Sequence, residues 1–417
     1  MNPTSKKKLL LYSDCYVYGG SERLIDLIVN SAEVKEAYDV DFAYSNHRVY
    51  RQGIQKEHGK RMHEFYPLPI IPVSTINRII NEMKIGRLGK RALKLAIKIV
   101  DCTGFPFIYN LVIQVNLLKK LKPDLVHVNN GGFPGAESCS VMVYACRLCG
   151  IRKILYHVNN FAFPTRNILR KVYDYLISSW VNVFITASKD TRLALAKQRG
   201  FSLNKIKQLP NAIKKEEITV ERDALLQSYS LENTVFMLCQ VAFLSERKGQ
   251  IQLLEALTII KENNREIYDD LVLFLVGNGE DEKHLKEYAQ KSGIAENVIF
   301  TGFRTDSINF INAADLFLLP SVSNEDMPLV ILSAMSLGKE IISTNLAGIK
   351  EQIEHGVSGI LLEPDRKSLP SGIADAIVDS YKNRGLQRYG ENARHRYMNH
   401  FTVEVYGRNL KAIYDTV

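Results

Sequence analysis

The chain predicts an α/β protein of two Rossmann-like, doubly wound domains. Three observations carry this. Short apolar strand patterns alternate with amphipathic helical ones in both halves, the alternation breaks at the charged, weakly periodic stretch 214–232, and glycines or prolines mark the points where strands pass into helices. In the first half the strands are expected at 9–13, 39–44, 124–128, 154–158 and 183–187, each an apolar run short enough for a buried parallel strand. The second half restarts at 235–241 and continues at 271–276, 298–300, 316–319, 340–343 and 359–362. The expected organisation is a first domain over 1–213, a linker at 214–232, a second domain over 233–398, and a helix over 399–417 that crosses back to the first. A length of 417 residues with 46% hydrophobic and 24% charged residues suits two soluble cores. Ligands of open parallel sheets bind beyond the carboxyl ends of the strands, so two such domains are expected to face each other across a ligand-holding cleft.

Chemistry-bearing residues stand at those strand ends. The run 313–321, A-A-D-L-F-L-L-P-S, leads into an acidic loop holding Glu325 and then into an apolar helix begun by Pro328. Pro328 suits the first helical turn, where its missing N–H would be an orphan anyway. The backbone N–H groups around Leu329 and Val330 then offer the positive end of a helix dipole to a diphosphate. The Glu325 carboxylate repels phosphate but accepts hydrogen bonds from sugar hydroxyls. An ordinary helix start with an exposed acid is the alternative. Gly19-Gly20-Ser21-Glu22-Arg23 follows the first strand with backbone that an anion can approach, or forms a plain loop; it lacks the G-x-G-x-x-G spacing of a dinucleotide dehydrogenase. Arg247-Lys248-Gly249 follows the first strand of the second half and supplies either diphosphate counter-charge or an exposed basic turn. Gly277-Asn278-Gly279-Glu280 and Gly302-Phe303-Arg304 occupy equivalent ends.

Composition narrows the remaining classes. Six dispersed cysteines without an export signal argue for reduced thiols, and Cys146-x-x-Cys149 lies in an apolar helical pattern with no second ligand pair nearby, so packed thiols are expected there rather than a metal or redox centre. The apolar run after Lys6-Lys7-Lys8 is shorter than a secretory signal needs, and 97–118 is interrupted by Asp101, Gly104, Pro106, Asn110 and Gln114, so a cytoplasmic protein is expected. Between Arg48 and Lys98, twelve Lys or Arg meet three acids, which equals the net excess of +9 for the whole chain. Lys84, Arg87, Arg91, Lys94 and Lys98 recur at helical spacing, with Ile85, Leu88, Ala92, Leu95 and Ile99 turned elsewhere. Such a stripe suits an anionic membrane surface or a solvated helix face; nucleic acid fits less well, since aromatic interleaving is missing.

Together the motifs resemble the retaining GT-B glycosyltransferases of family 4, the glycosyl transferases group 1 type. The resemblance rests on G-G-S-E-R at 19–23, K-P-D-L-V-H at 122–127, L-P-N-A-I at 209–213, R-K-G at 247–249, V-G-N-G-E at 276–280, F-T-G-F-R at 300–304, the Glu325 loop and 347–362. It implies metal-independent transfer of a hexosyl unit from a nucleotide-diphosphate sugar, without a cofactor, to a glycan or polyprenyl-linked acceptor, in bacterial surface polysaccharide synthesis at the inner face of the membrane. Glu325 and Lys248 would be the catalytic pair. Gly20, Arg247, Lys248, Arg304, Glu325, Met327, Pro328, Leu329 and Ser333 would bind the donor, and His127, Asn129 and Asn159 the acceptor. Departures stand beside the match: Ser333 replaces a second Glu that holds the donor ribose in similar enzymes, Phe243 replaces an Arg, and Asn129 and Asn159 replace histidines. His127 and His157 read equally as packed strand-end histidines. The alternative is a catalytically silent GT-B protein that binds and regulates another glycosyltransferase. A third reading, a metal-dependent transferase, would need Asp39 and Asp41 as cation ligands, but they merely share one face of a strand.

Overall fold

A computed structural model describes residues 6–15, 19–58, 65–83, 85–165, 167–383 and 388–417; Lys60, Arg61, Glu64 and Lys84 of the basic segment lie outside them. The chain forms two compact units, 1–210 with 403–417, and 211–402.

The first unit holds strands β1 (Lys7–Ser13), β2 (Tyr38–Ser45), β3 (Tyr66–Leu68), β4 (Leu125–Asn130), β5 (Ile154–Val158), β6 (Val183–Thr186) and β7 (Ile206–Gln208). They make one sheet in the order β3-β2-β1-β4-β5-β6-β7, and every pair is parallel. Central strands are covered on both faces, which is why β1 reads as the unbroken run Leu9-Leu10-Leu11-Tyr12, all buried. The short strands β3 and β7 were not expected. Each is three residues long and lies at a sheet edge, and β3 carries Pro67, which an edge tolerates because no ladder bond is lost. Around the sheet run α1 (Gly20–Asn30), α2 (Ala32–Ala37), α3 (Arg87–Cys102), α4 (Phe105–Leu121), α5 (Glu137–Leu148) and α6 (Ile168–Trp180). Asp39 and Asp41 lie in the amino-terminal half of β2, at the opposite end from the strand termini that bind ligands.

The second unit holds β8 (Phe236–Val241), β9 (Leu271–Val276), β10 (Val298–Gly302), β11 (Leu316–Leu319), β12 (Glu340–Thr344) and β13 (Ile360–Leu362), again all parallel, in the order β10-β9-β8-β11-β12-β13. Counted within the unit, this is the 3-2-1-4-5-6 order of dinucleotide-binding sheets, whose direction of winding reverses between β8 and β11. Its helices include α7 (Arg222–Ser228), α8 (Gln250–Asn263), α9 (Ser307–Ala313), α10 (Leu329–Ser336) and α11 (Tyr389–His400).

Two expectations need correction. The stretch 214–232 is part of the second unit rather than a free linker: Leu225 and Leu226 of α7 are buried with Met237, Phe274 and Phe310. A seven-residue helix offers two turns of periodicity, too little to stand out against a charged background. The returning segment begins at Val403, not 399, because α11 through His400 stays with the second unit. The helix α12 (Val403–Asp415) then packs in the first unit, burying Tyr406, Leu410 and Tyr414 against α2 and β4.

Cys146 is buried on α5, and Cys149, next to that helix's last residue, is half-buried with its Sγ 3.8 Å from the Val115 carbonyl oxygen; both are free thiols, and burial raises both pKa values. Helix α3 departs from an ordinary packed helix. None of its residues is buried; Leu88 is 81% exposed, and Leu95 and Ile99 also face outward. Phe105, Ile108 and Val112 of α4 and Ile168, Leu169 and Val172 of α6 are exposed as well. Among the described residues no single helix is long and apolar enough to cross a bilayer.

Candidate active site

The second unit concentrates charge where its sheet reverses. Two loops leave adjacent strands there: β8 feeds the turn Glu246–Lys248, and β11 feeds the loop 320–328. They are tied by backbone, with the Val322 N–H donating to the Arg247 carbonyl at 2.9 Å. Gly249 permits the approach. Its φ is +73°, and a Cβ there would lie 1.9 Å from the Pro320 carbonyl oxygen, so no other residue fits without moving a strand end.

This junction brings Lys248 to Glu325. The Lys248 ammonium donates to Glu325 Oε2, Ser321 Oγ donates to the same oxygen at 3.3 Å, and Arg247 Nη1 approaches it at 3.4 Å while donating to the Asn324 carbonyl at 3.1 Å. Lys248 and Glu325 are nearly enclosed, with side-chain exposures of 10% and 12%. Burial lowers the Lys248 pKa, and the Glu325 carboxylate opposes that shift. Sequence singled out both residues, yet their pairing follows from the adjacency of β8 and β11.

Helix α10 starts beside this cluster. Pro328 is its N-cap, in extended conformation, and the first helical residue is Leu329, one position later than expected. Pro328 has no side-chain acceptor to cap the helix, and the first-turn N–H groups of Leu329 and Val330 follow directly after the loop that holds Glu325. Met327 is buried and held in place by Asn211, whose Nδ2 donates to the Met327 carbonyl at 2.8 Å. Sequence reasoning gave Asn211 no role, although it lies in the L-P-N-A-I run. Ser333, on the second turn of α10, donates weakly to Glu216 Oε1 and to the Leu329 carbonyl, each at 3.5 Å. Phe243 is half exposed just after β8. Arg304 follows the edge strand β10 and forms two bonds to Asp306 at 2.8 and 2.7 Å, so its side chain is engaged locally.

At the reversal point of the first unit, Ser13 ends β1 in register with Asn129 on β4. Asn159 donates to Asn129 Oδ1 at 2.8 Å, which brings two of the three expected acceptor residues together. Gly20 begins α1, exposed, while Glu22 folds back under it and accepts from the Gly19 N–H at 3.2 Å and the Ser21 hydroxyl at 2.6 Å. His127 is placed differently. It is fully buried, stacked on His157 with ring centroids 5.6 Å apart and 2.7 Å from the Tyr414 hydroxyl, which fits the packed-histidine reading and not an acceptor contact. A residue not singled out, Asp14, lies directly after β1. Ser138 donates to its carboxylate at 2.5 Å and Tyr12 to Ser138 at 2.9 Å, and burial raises the Asp14 pKa. An acid immediately following an apolar strand was the available signal.

The sequence model of the family "Glycosyl transferases group 1" matches residues 221–396, the part that carries Lys248, Glu325 and α10. The second unit is a group 1 glycosyltransferase domain. The chain is 28% identical over 320 residues to an Escherichia coli UDP-Gal:alpha-D-GlcNAc-diphosphoundecaprenol alpha-1,3-galactosyltransferase, covering 73% of this chain and 78% of that one. It is 24% identical to an uncharacterized glycosyltransferase of Methanocaldococcus jannaschii, across 98% of each. The structure of Anabaena HepE in complex with UDP matches with a TM-score of 0.73 at 19% identity, covering 98% of this chain and 100% of that one, so the chain has the GT-B fold.

Proposed function

We propose that this glycosyltransferase moves a hexosyl unit from a nucleotide-diphosphate sugar to a glycan or polyprenyl-linked acceptor, with retention of configuration, in surface polysaccharide assembly at the cytoplasmic face of a membrane. The observation that carries the reading is the convergence of Lys248, Arg247, Glu325 and the Pro328-led start of α10 at the β8/β11 reversal. The names of the Escherichia coli relative and of the HepE complex support a nucleotide donor. In the protein itself the Lys248 and Glu325 charges neutralise each other. Donor binding exchanges that pair: the diphosphate takes Lys248, Arg247 and the α10 amides, and the sugar hydroxyls donate to Glu325. The acceptor oxygen then forms its bond to the anomeric carbon on the face from which the diphosphate leaves. The acceptor proton passes to a departing phosphate oxygen. Stabilising the leaving charge is the protein's main task, and two cations with a helix dipole supply it without a metal or cofactor.

The first unit, with Asn129 and Asn159 at its strand ends, is assigned to the acceptor. Arg87, Arg91, Lys94 and Lys98 on α3, with the outward-facing Leu88, Leu95 and Ile99, support docking on an anionic bilayer surface.

The test is release of nucleoside diphosphate from a panel of nucleotide sugars, with lipid-linked acceptor present. Turnover that falls on the order of 100-fold in Glu325→Gln is expected. Absence of both binding and turnover would overturn the proposal. A silent GT-B partner protein is the second reading, favoured by Phe243 and Ser333 at positions where similar enzymes are charged; nucleotide binding without turnover on any acceptor would select it.

A further inference from the structure

Ser333 offers one hydroxyl, whereas the vicinal hydroxyls of a ribose are held best by a carboxylate that accepts from both. The fold supplies that carboxylate from elsewhere. Glu216 lies 117 residues away in sequence, and its Oε1 stands 3.5 Å from Ser333 Oγ. The segment that carries it is fastened on both sides. At one end Asn211 donates its side chain to the Met327 carbonyl at 2.8 Å and its backbone N–H to Met327 Sδ at 3.2 Å, and the Tyr397 hydroxyl donates to the Ile213 carbonyl at 3.2 Å. At the other end, the fully buried Asn309 of α9 accepts from the Thr219 and Val220 N–H groups at 2.9 and 3.3 Å and donates to Thr219 Oγ1 at 3.0 Å. The chain is thus laid past α10 between two anchors, with Glu216 midway and half-buried.

We propose that Glu216 is the ribose-binding residue of this enzyme and does through tertiary structure what a carboxylate at position 333 would do locally. The inference rests on the donor reading given above. Four residues separate Leu329 from Ser333, about 6 Å along the helix axis. A diphosphate at the α10 start therefore sets its ribose alongside the second turn, where Glu216 and Ser333 meet. The charges impose a direction: Arg247 and Lys248 attract the phosphates at one end, while Glu216 repels them and accepts the neutral diol at the other.

The experiment titrates UDP, GDP and ADP into the full-length protein by calorimetry and carries the tightest forward with its 2′-deoxy counterpart. Glu216→Ala is expected to weaken the ribonucleotide about 10- to 100-fold and to erase the preference for it over the 2′-deoxy form. The double variant Glu216→Ala/Ser333→Glu, which returns a carboxylate to the same place, is expected to regain much of the lost affinity and the preference. Unchanged affinity and preference in Glu216→Ala, while the wild type binds, would overturn this inference alone. A wild type that binds none of the three would overturn the donor reading, and the inference with it.

Discussion

Two residues, Lys248 and Glu325, face each other almost out of solvent, and their exchange is unequal. Removing the ammonium as Lys248→Met leaves the Glu325 carboxylate with Arg247 at 3.4 Å and the Ser321 hydroxyl at 3.3 Å. Removing the carboxylate as Glu325→Gln leaves a buried ammonium whose pKa burial already lowers. Both variants should lose transfer, but Glu325→Gln should also lose about 1–3 kcal/mol of stability at neutral pH, while Lys248→Met stays close to wild type in denaturant titration. Equal stability losses would show that Arg247 and Ser321 do not sustain the carboxylate. His157 makes a separate prediction. Burial holds its pKa down, to about 3, and His127 is lowered too, first by burial and then by His157. The unfolded chain takes up these protons near pH 6.5 and the folded chain does not, so stability falls as the pH drops from about 6.5 toward 3, by up to about 1.4 kcal/mol per pH unit for each histidine. Asp14 and Glu22, raised by burial, act in the opposite sense because the folded chain binds their protons first. His157→Gln should therefore flatten the acid limb relative to wild type, read as Tm against pH.

Elements divide into those that bury a face and one that does not. Helix α3 buries nothing, so its substitution tests function without threatening the fold. Changing Lys94 and Lys98 to Glu reverses two charges and should cost on the order of 1 kcal/mol per charge removed in binding to anionic vesicles, while Tm holds; unchanged flotation would remove the membrane assignment. Gly249→Ala should do the reverse. Its positive φ and the Pro320 carbonyl at 1.9 Å from the added carbon force the Arg247-Lys248 turn away from the Glu325 loop, lowering both stability and donor affinity in thermal melts with and without nucleotide. Most of this architecture is legible in sequence because buried parallel strands read as apolar runs; those at 154–158, 271–276 and 316–319 match the structure end to end. The edge strands β3 and β7 are not, since three residues carry no period. Lys248 and Glu325 stand out individually through the loops that hold them. Glu216 does not: its meaning comes from Ser333, 117 positions on, and from anchors at Asn211 and Asn309 that no local window contains. The burial of His127 likewise involves Tyr414, 287 residues away, which no local window contains.

At the scale of the whole molecule, the chain is two cores that share one covalent thread. The first unit is completed only by the last fifteen residues, 403–417, which enter after the second unit has been traversed. Tyr406, Leu410 and Tyr414 are buried there, Gly407 is packed so closely that a Cβ would lie 2.5 Å from Ser31 Oγ, and the Tyr414 hydroxyl meets His127 on β4. Burying three large side chains contributes roughly 2 kcal/mol each before the entropy of ordering the helix is subtracted. The proposed donor residues Lys248, Glu325 and the start of α10, in contrast, lie within 211–402. Deletion of 403–417 should therefore destabilise the first unit and expose the His127–His157 pair, yet leave nucleotide binding by the second unit intact. Hydrogen exchange reads both: faster exchange in β1, β4 and α2 of the truncated chain, and undiminished nucleotide-dependent protection in 246–249 and 325–333. In the intact chain a nucleotide at 100 times its dissociation constant adds about 2.7 kcal/mol to whichever unit holds it. If that protection instead disappeared with the terminal helix, donor binding would require the first unit to be folded, and the second unit could not be the donor site by itself.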